Sequence, residues 1–394
     1  MTHRQPMEKV YRRRRLIAAV AVALFAIGTA AGIGVALQKA TGWTEEEWAA
    51  HTSVREPADY APATAVAIQE PEPTMPSATP TLRESKDPRP VQNAPGPGET
   101  KSVTIETSGV LRSFLLSAPV GVETLEGTGE PRPLILAFHG YTESPESMSR
   151  YTGLTKDGAI VAYPKGIGEA WEGAPYSKTD GGQDVRFATD LLERISATYR
   201  VDANRIYAAG MSNGGGFVAK LACEVPEEFS AMASVAGAYY PGTWRGCTGP
   251  TGGGKGESSQ PAGSGPEFAR GPSVPFLEIH GRQDETIEYD GGHRHGSTYL
   301  GAMQFSSLYA SRSGCFGAPS TTRATDKVLR VVWPGCDDDA EVTHLAIADA
   351  GHTWPGESTG EAGAASGDDF SDRRSNAVTA TNEIMAFFNR HQIT

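Results

Sequence analysis

Between residues 99 and 394 the chain alternates between two apolar rhythms. "PLILAFHG" (133–140), "AIVAYP" (159–164) and "RIYAAG" (205–210) are short, almost continuous apolar runs, as expected of strands buried on both faces. "AMASVAGAYY" (231–240), "VPFLEIHG" (274–281) and "EVTHLAIADAG" (341–351) supply three more strands. "SVTIET" (102–107) and "LRSFLLSAP" (111–119) read as an opening antiparallel pair. The other rhythm is helical. "DVRFATDLLERISATY" (184–199) places Val185, Ala188, Leu191, Leu192 and Ile195 on one side. "NGGGFVAKLACEV" (213–225) follows a strand directly, and "NAVTATNEIMAFFNRH" (376–391) closes the chain with an amphipathic helix. Strands alternating with helices in this way predict an α/β fold, a mostly parallel central sheet flanked by helices.

The first hundred residues follow neither rhythm. Residues 1–15 are basic and end in "YRRRR", the mark of a cytoplasmic segment before a membrane. Residues 16–37, "LIAAVAVALFAIGTAAGIGVAL", carry no charge and would reach about 33 Å as a helix, enough to cross a hydrocarbon core. The run reads as a transmembrane anchor or, alternatively, a signal sequence cut near "GTAAG". Either reading puts the rest of the chain on the extracellular face of the membrane or in secreted form. Residues 38–98 are proline-rich and lack apolar period, so they are expected to form a disordered linker. The catalytic domain then spans 99–394. Two low-complexity stretches, Gly249–Pro272 and Gly356–Arg374, read as surface insertions within it.

Charge removes one class of partner. The net charge is −12, and the only basic cluster sits at the extreme N-terminus, so nucleic acid is set aside. The four cysteines, Cys223, Cys247, Cys315 and Cys336, form no C-x-x-C pair, which argues against zinc or thioredoxin chemistry. Outside the cytoplasm they are expected as disulfides. Of three possible pairings, the two sequence-local ones, Cys223–Cys247 and Cys315–Cys336, are preferred.

The pattern Gly-x-Ser-x-Gly occurs twice, as "GMSNG" around Ser212 and "GESTG" around Ser358. Context separates them. A nucleophilic serine of this type needs a buried strand before it, a sharp turn, and a helix after it. Ser212 has all three, with Gly210 and Gly214 removing the side chains that would collide at the turn. Ser358 lies in a low-complexity loop and has neither strand nor helix beside it.

A serine hydroxyl needs a base, and the base needs an orienting carboxylate, in the order Ser, Asp or Glu, His. Five histidines follow Ser212 and its first downstream strand with a usable carboxylate before them: His293, His295, His344, His352 and His391. His344 sits inside an alternating strand, and His391 is near the C-terminus. His293 and His295, in "GGHRHG", read as an exposed loop or a weak metal clip. His352, just beyond a strand end in "DAGHTWPG", is the base candidate. The carboxylate should follow "VPFLEIHG", which nominates Asp284 ahead of Glu285 and Asp290. The backbone N–H of Tyr141, after "FHG", would meet that of Asn213 as the oxyanion donors. His139 precedes Ser212, the wrong order for the base, and is read as bracing its loop.

With these residues assembled, the chain resembles the extracellular polyhydroxybutyrate depolymerase and feruloyl esterase family of α/β-hydrolases. The resemblance runs from about Val103 to His391 and rests on "PLILAFHG", "YPKG" with "AW" soon after, "YRVDANRIYAAGMSNGGG", "LACEVPEEFSAMASVAG", "VPFLEIHGRQDETIEYDGG" and "GHTWPG". It implies an α/β-hydrolase fold, a triad of Ser212, Asp284 and His352, and oxyanion donors Tyr141 and Asn213. It also implies that Trp171 and Trp354 line the acyl or ring pocket, with ordinary core tryptophans as the alternative. Family members often carry a cysteine-bearing segment after the first tryptophan, which this chain lacks. The implied activity is that of a serine carboxylic-ester hydrolase acting on a small or polymeric ester, with no cofactor and no metal. Rival readings are another hydrolase on the same scaffold (acetylxylan esterase, lipase or peptidase) or a non-catalytic surface binding protein.

Overall fold

The computed structural model describes residues 81–87, 89–248, 268–337, 340–356 and 373–392. The expected basic segment 1–15, the apolar run 16–37, the linker up to residue 80 and Ser358 lie outside the described residues. Among those described, no helix is long and apolar enough to cross a membrane.

Ten strands form one sheet: β1 (Thr100–Thr107), β2 (Val110–Ser117), β3 (Arg132–Phe138), β4 (Ile160–Pro164), β5 (Val201–Met211), β6 (Ala231–Val235), β7 (Phe276–Gly281), β10 (Ser320–Thr325), β11 (Val328–Trp333) and β12 (Val342–Ile347). A separate hairpin pairs β8 (Gly291–Arg294) with β9 (Ser297–Leu300). The order across the large sheet is β1-β2-β4-β3-β5-β6-β7-β12-β11-β10. The six central strands from β4 to β12 run parallel, and both margins are antiparallel. This is the α/β-hydrolase arrangement. Strand order reverses beside β3, whose neighbours are β4 on one side and β5 on the other, and ligands collect outside the C-terminal ends of strands at such a reversal.

Alternation along β3 shows why the apolar run is continuous. Leu134, Leu136 and Phe138 pack with Leu191 and Ile195 of α2 (Gln183–Ser196) and with Phe217 of α3 (Asn213–Glu224). Ile135 and Ala137 point the other way, toward Met148 of α1 (Pro145–Thr152) and Ile384 and Phe388 of α5 (Ala380–Arg390). A further helix, α4 (Ala302–Arg312), packs Phe305 and Tyr309 on the first of these faces. Both faces of the sheet are therefore covered, and no polar alternation is needed.

Two elements depart from the sequence reading. Residues 81–98, expected to belong to the linker, pack on the domain instead. Val91 is buried in the core, the Arg83 guanidinium bridges Glu193 (3.0 Å) and Glu228 (2.6 Å), and Tyr199 donates from its hydroxyl to the Pro95 carbonyl at 2.6 Å. Such anchors are few among many prolines, so composition hides them. The strand expected over 231–240 ends at Val235, where the chain turns to form part of the site.

Cys223 is bonded to Cys247, and Cys315 to Cys336. The first bridge ties the C-terminal end of α3 to the segment before the Gly249–Pro272 insertion. Arg312 braces the same corner by donating to the carbonyls of Gly246 (2.8 Å) and Ala269 (2.7 Å).

Candidate active site

Ser212 stands between β5 and α3 with φ 54° and ψ −116°, a backbone conformation that costs a non-glycine residue energy and marks a tight strand-to-helix turn. The flanking glycines make the turn possible. A Cβ on Gly210 would lie 2.3 Å from the backbone of Gly214, and one on Gly214 would lie 2.0 Å from the Phe138 carbonyl oxygen. No side chain fits at either place.

The other expected residues arrive from the same edge of the sheet. Asp284 follows β7, His352 follows β12, and Tyr141 follows β3. Nδ1 of His352 donates to Oδ2 of Asp284 at 2.8 Å, and both side chains are buried. Oδ1 of Asp284 accepts from the backbone N–H groups of Thr286 and Ile287, each at 2.8 Å, which fixes the carboxylate. With Nδ1 committed, Nε2 of His352 is the ring nitrogen left to take a proton. Ser212 and His352 line one cavity of about 170 Å³. Its remaining wall includes Tyr141, Tyr176, Tyr240, Ile287, Arg294 and His295.

Asp284 is the outer end of a buried polar network. Nε2 of His280 lies 3.2 Å from Oδ2 of Asp284 and 2.9 Å from the Ile287 carbonyl oxygen, while Nδ1 faces Oε1 of Glu278 at 3.0 Å. All these partners are acceptors, so both ring nitrogens must carry hydrogen and His280 is an imidazolium. Burial opposes that charge, but Glu278 and Asp284 outweigh it and push the imidazolium up to about 10. Burial likewise opposes ionisation of Asp284; His352 and His280 outweigh it and hold the carboxyl well below the usual range. Glu278 also faces His344, whose Nε2 pairs with the Tyr289 hydroxyl at 2.8 Å. His344 is thus a satisfied strand residue, as its position inside an alternating run suggests.

The oxyanion candidates are arranged as follows. Asn213 is the first residue of α3, so its N–H has no partner within the helix. Among the described residues the N–H of Tyr141 has no partner either. His139 is buried, donates from Nδ1 to the Gly140 carbonyl (2.7 Å) and accepts at Nε2 from Gly166 N–H (3.1 Å). Burial lowers it to about 4, so it is neutral and braces the turn.

The tryptophans need correction. Neither Trp171 nor Trp354 is among the residues lining the cavity; both are core residues with satisfied indoles. Trp171 stacks on Phe217, donates from Nε1 to the His139 carbonyl (2.9 Å), and donates from its backbone N–H to Oδ1 of Asn213 (2.8 Å). It thereby ties the turn after β3 to the first residue of α3. Trp354 donates to the Thr381 hydroxyl of α5 at 3.0 Å. The aromatic wall comes from tyrosines instead: the Tyr141 and Tyr176 rings lie 4.2 Å apart, and His295 meets Tyr176 edge-on at 4.7 Å. Of His293 and His295, only His295, at the tip of the β8–β9 hairpin, lines the cavity. Among the described residues no cluster of potential metal ligands is found.

Residues 130–307 match the family described as esterase PHB depolymerase. "Putative esterase NocK" of Nocardia uniformis subsp. tsuyamanensis is 28% identical over 311 residues, 73% of this chain and 82% of that protein. "Feruloyl esterase C" of Emericella nidulans is 26% identical over 280 residues, 67% of this chain and 85% of that protein. "Feruloyl esterase B" of Piromyces equi is 28% identical over 233 residues, 56% of this chain; the match spans 39% of the Piromyces protein. The resemblance drawn from the motifs is therefore shown, and the domain is a carboxylic-ester hydrolase of the α/β-hydrolase type.

Proposed function

We propose that this esterase domain works through a serine acyl-enzyme, with Ser212 as nucleophile, His352 as general base and Asp284 as the carboxylate that orients it. The observation that carries the reading is the 2.8 Å bond from His352 to Asp284 beside a strained serine that shares its cavity. His352 takes the Ser212 proton as Oγ attacks the ester carbonyl. The N–H groups of Tyr141 and Asn213 receive the charge that develops on the carbonyl oxygen. The tetrahedral intermediate collapses as His352 returns the proton to the departing alcohol. Water, deprotonated by the same imidazole, then releases the acid and restores Ser212. Asp284 stays ionised throughout and stabilises the imidazolium.

The cavity bounds the substrate. At about 170 Å³ it is close to the roughly 150 Å³ that holds a benzene ring, so it suits one aromatic ring or a short acyl chain. Feruloyl, acetyl or short hydroxyacyl esters fit that size. A long polyester would enter only by its end. Two disulfides favour a site of action outside the cytoplasm.

The test is hydrolysis of 4-nitrophenyl butyrate. Ser212→Ala is expected to lose activity by several orders of magnitude, and Ser358→Ala to keep it. Equal losses in the two variants would overturn the assignment.

A further inference from the structure

The wall of the cavity carries one arginine, and its position is built. The β8–β9 hairpin is anchored at its base by Leu300, which donates to the Tyr239 carbonyl, and by Tyr299, whose hydroxyl accepts from Glu288 N–H at 3.0 Å. Tyr299 is buried against Tyr240. That anchorage holds Arg294, the last residue of β8, half-buried at the cavity edge opposite Ser297 in the hairpin register.

Among the described residues Arg294 forms no ion pair. Its guanidinium has a single long contact, Nη1 to the Thr286 carbonyl oxygen at 3.4 Å. Glu143, the one carboxylate in the cavity wall, already accepts from Gly140 N–H (3.0 Å) and the Tyr151 hydroxyl (2.8 Å). Most arginines that are partly withdrawn from water in this domain do have acceptors at short range: Arg112 pairs with Asp184 at 2.8 Å, Arg205 with Asp202 at 2.6 Å, and Arg312 serves backbone carbonyls. A guanidinium is a planar fork that matches a carboxylate with two parallel N–H donors, and desolvation strengthens the match.

We propose that Arg294 recognises a free carboxylate on the substrate, so that the site prefers esters carrying an acid group a few bonds from the scissile carbonyl. The limited volume sets the spacing, because Ser212 and Arg294 border the same small cavity. Hemi-esters of short dicarboxylic acids and O-acylated short hydroxyacids have this shape, as do the acid ends of hydroxyacid oligomers. The inference rests on the ester-hydrolase reading and adds a specificity-determining residue to it.

Two substrate pairs test it by acid release: 3-acetoxybutyrate against 3-acetoxybutyramide, and ethyl hydrogen succinate against ethyl succinamate. Within each pair the reacting ester is the same and the carboxylate is exchanged for a neutral amide. The wild-type kcat/KM is expected to favour the acid by about tenfold or more in at least one pair. Arg294→Gln should collapse that ratio toward one through a rise in KM for the acid, and Arg294→Lys should retain part of it. Circular dichroism establishes that each variant is folded. Hydrolysis with no preference for either acid, or a preference that survives Arg294→Gln, would overturn the inference while leaving the hydrolase reading intact. Failure of the wild type to cleave all four compounds and 4-nitrophenyl butyrate would overturn both.

Discussion

His352 and Asp284 are 68 residues apart in sequence, yet Nδ1 of one lies 2.8 Å from Oδ2 of the other. Two parallel neighbouring strands, β7 and β12, bring them together, each releasing its residue just past its C-terminal end. The bond is short and buried, and it fixes the imidazole tautomer on which the proposed chemistry depends.

Replacing Asp284 by Asn keeps the size of the side chain and removes its charge. An amide nitrogen facing Nδ1 would favour the wrong tautomer of His352. Activity is expected to fall by about ten-thousandfold, carried by kcat with little change in KM. Steady-state kinetics on 4-nitrophenyl butyrate measures the split; a loss confined to KM would argue that Asp284 only shapes the pocket.

His280 links pH to stability. Its value in the folded protein lies above the ordinary histidine range, raised by Glu278 and Asp284 against the cost of burial. Its contribution is therefore complete below about pH 6.5 and is lost as pH climbs through about 10. Denaturant midpoints should fall across that interval. His280→Gln should lower stability by about 3–5 kcal/mol near neutrality and flatten the slope, because two carboxylates lose the cation between them. An unchanged slope in the variant would assign the dependence to another group.

The turn at Ser212 tolerates no extra atom. Gly214→Ala would press a methyl against the Phe138 carbonyl, and a loss of about 1–3 kcal/mol or more is expected. Gly242, which has open space around it, is the matched control and should tolerate alanine. Comparison of thermal unfolding for the two variants decides the point.

The bridge between Cys223 and Cys247 closes a loop with a sequence separation of 24. In the chain-entropy description it contributes about 3–4 kcal/mol. Replacing both cysteines by serine should lower the denaturant midpoint by that amount; an unchanged midpoint would show that the Arg312 contacts hold the corner without it.

The parts of this molecule that were legible in sequence are those whose cause is local. The elbow at Ser212 is written in consecutive residues, and Asp284 and His352 follow from counting strand ends. The tyrosine and Arg294 wall was not legible, because β8–β9 acquires its place only through contacts to Tyr239 and Tyr240. The Glu278–His280 network was also missed: within "FLEIHG" two polar residues look like interruptions of a strand, and only the neighbouring strand shows that His344 answers Glu278. The α4 helix and the exposed strand β10, the latter made largely of Ser, Thr and Arg, lack a clear apolar period, and α1 is only eight residues long. Trp171 stays undecided in sequence for a related reason: motif position says that it is near the site, but not that Phe217 stacks on its ring and Asn213 takes its backbone N–H.

The most direct test of the central claim is covalent. Incubation with a fluorophosphonate followed by intact-mass and peptide mass spectrometry should show one adduct per chain, on Ser212, absent in Ser212→Ala and formed far more slowly in His352→Ala. An unlabelled wild-type protein, or an adduct on Ser358 in place of Ser212, would contradict it.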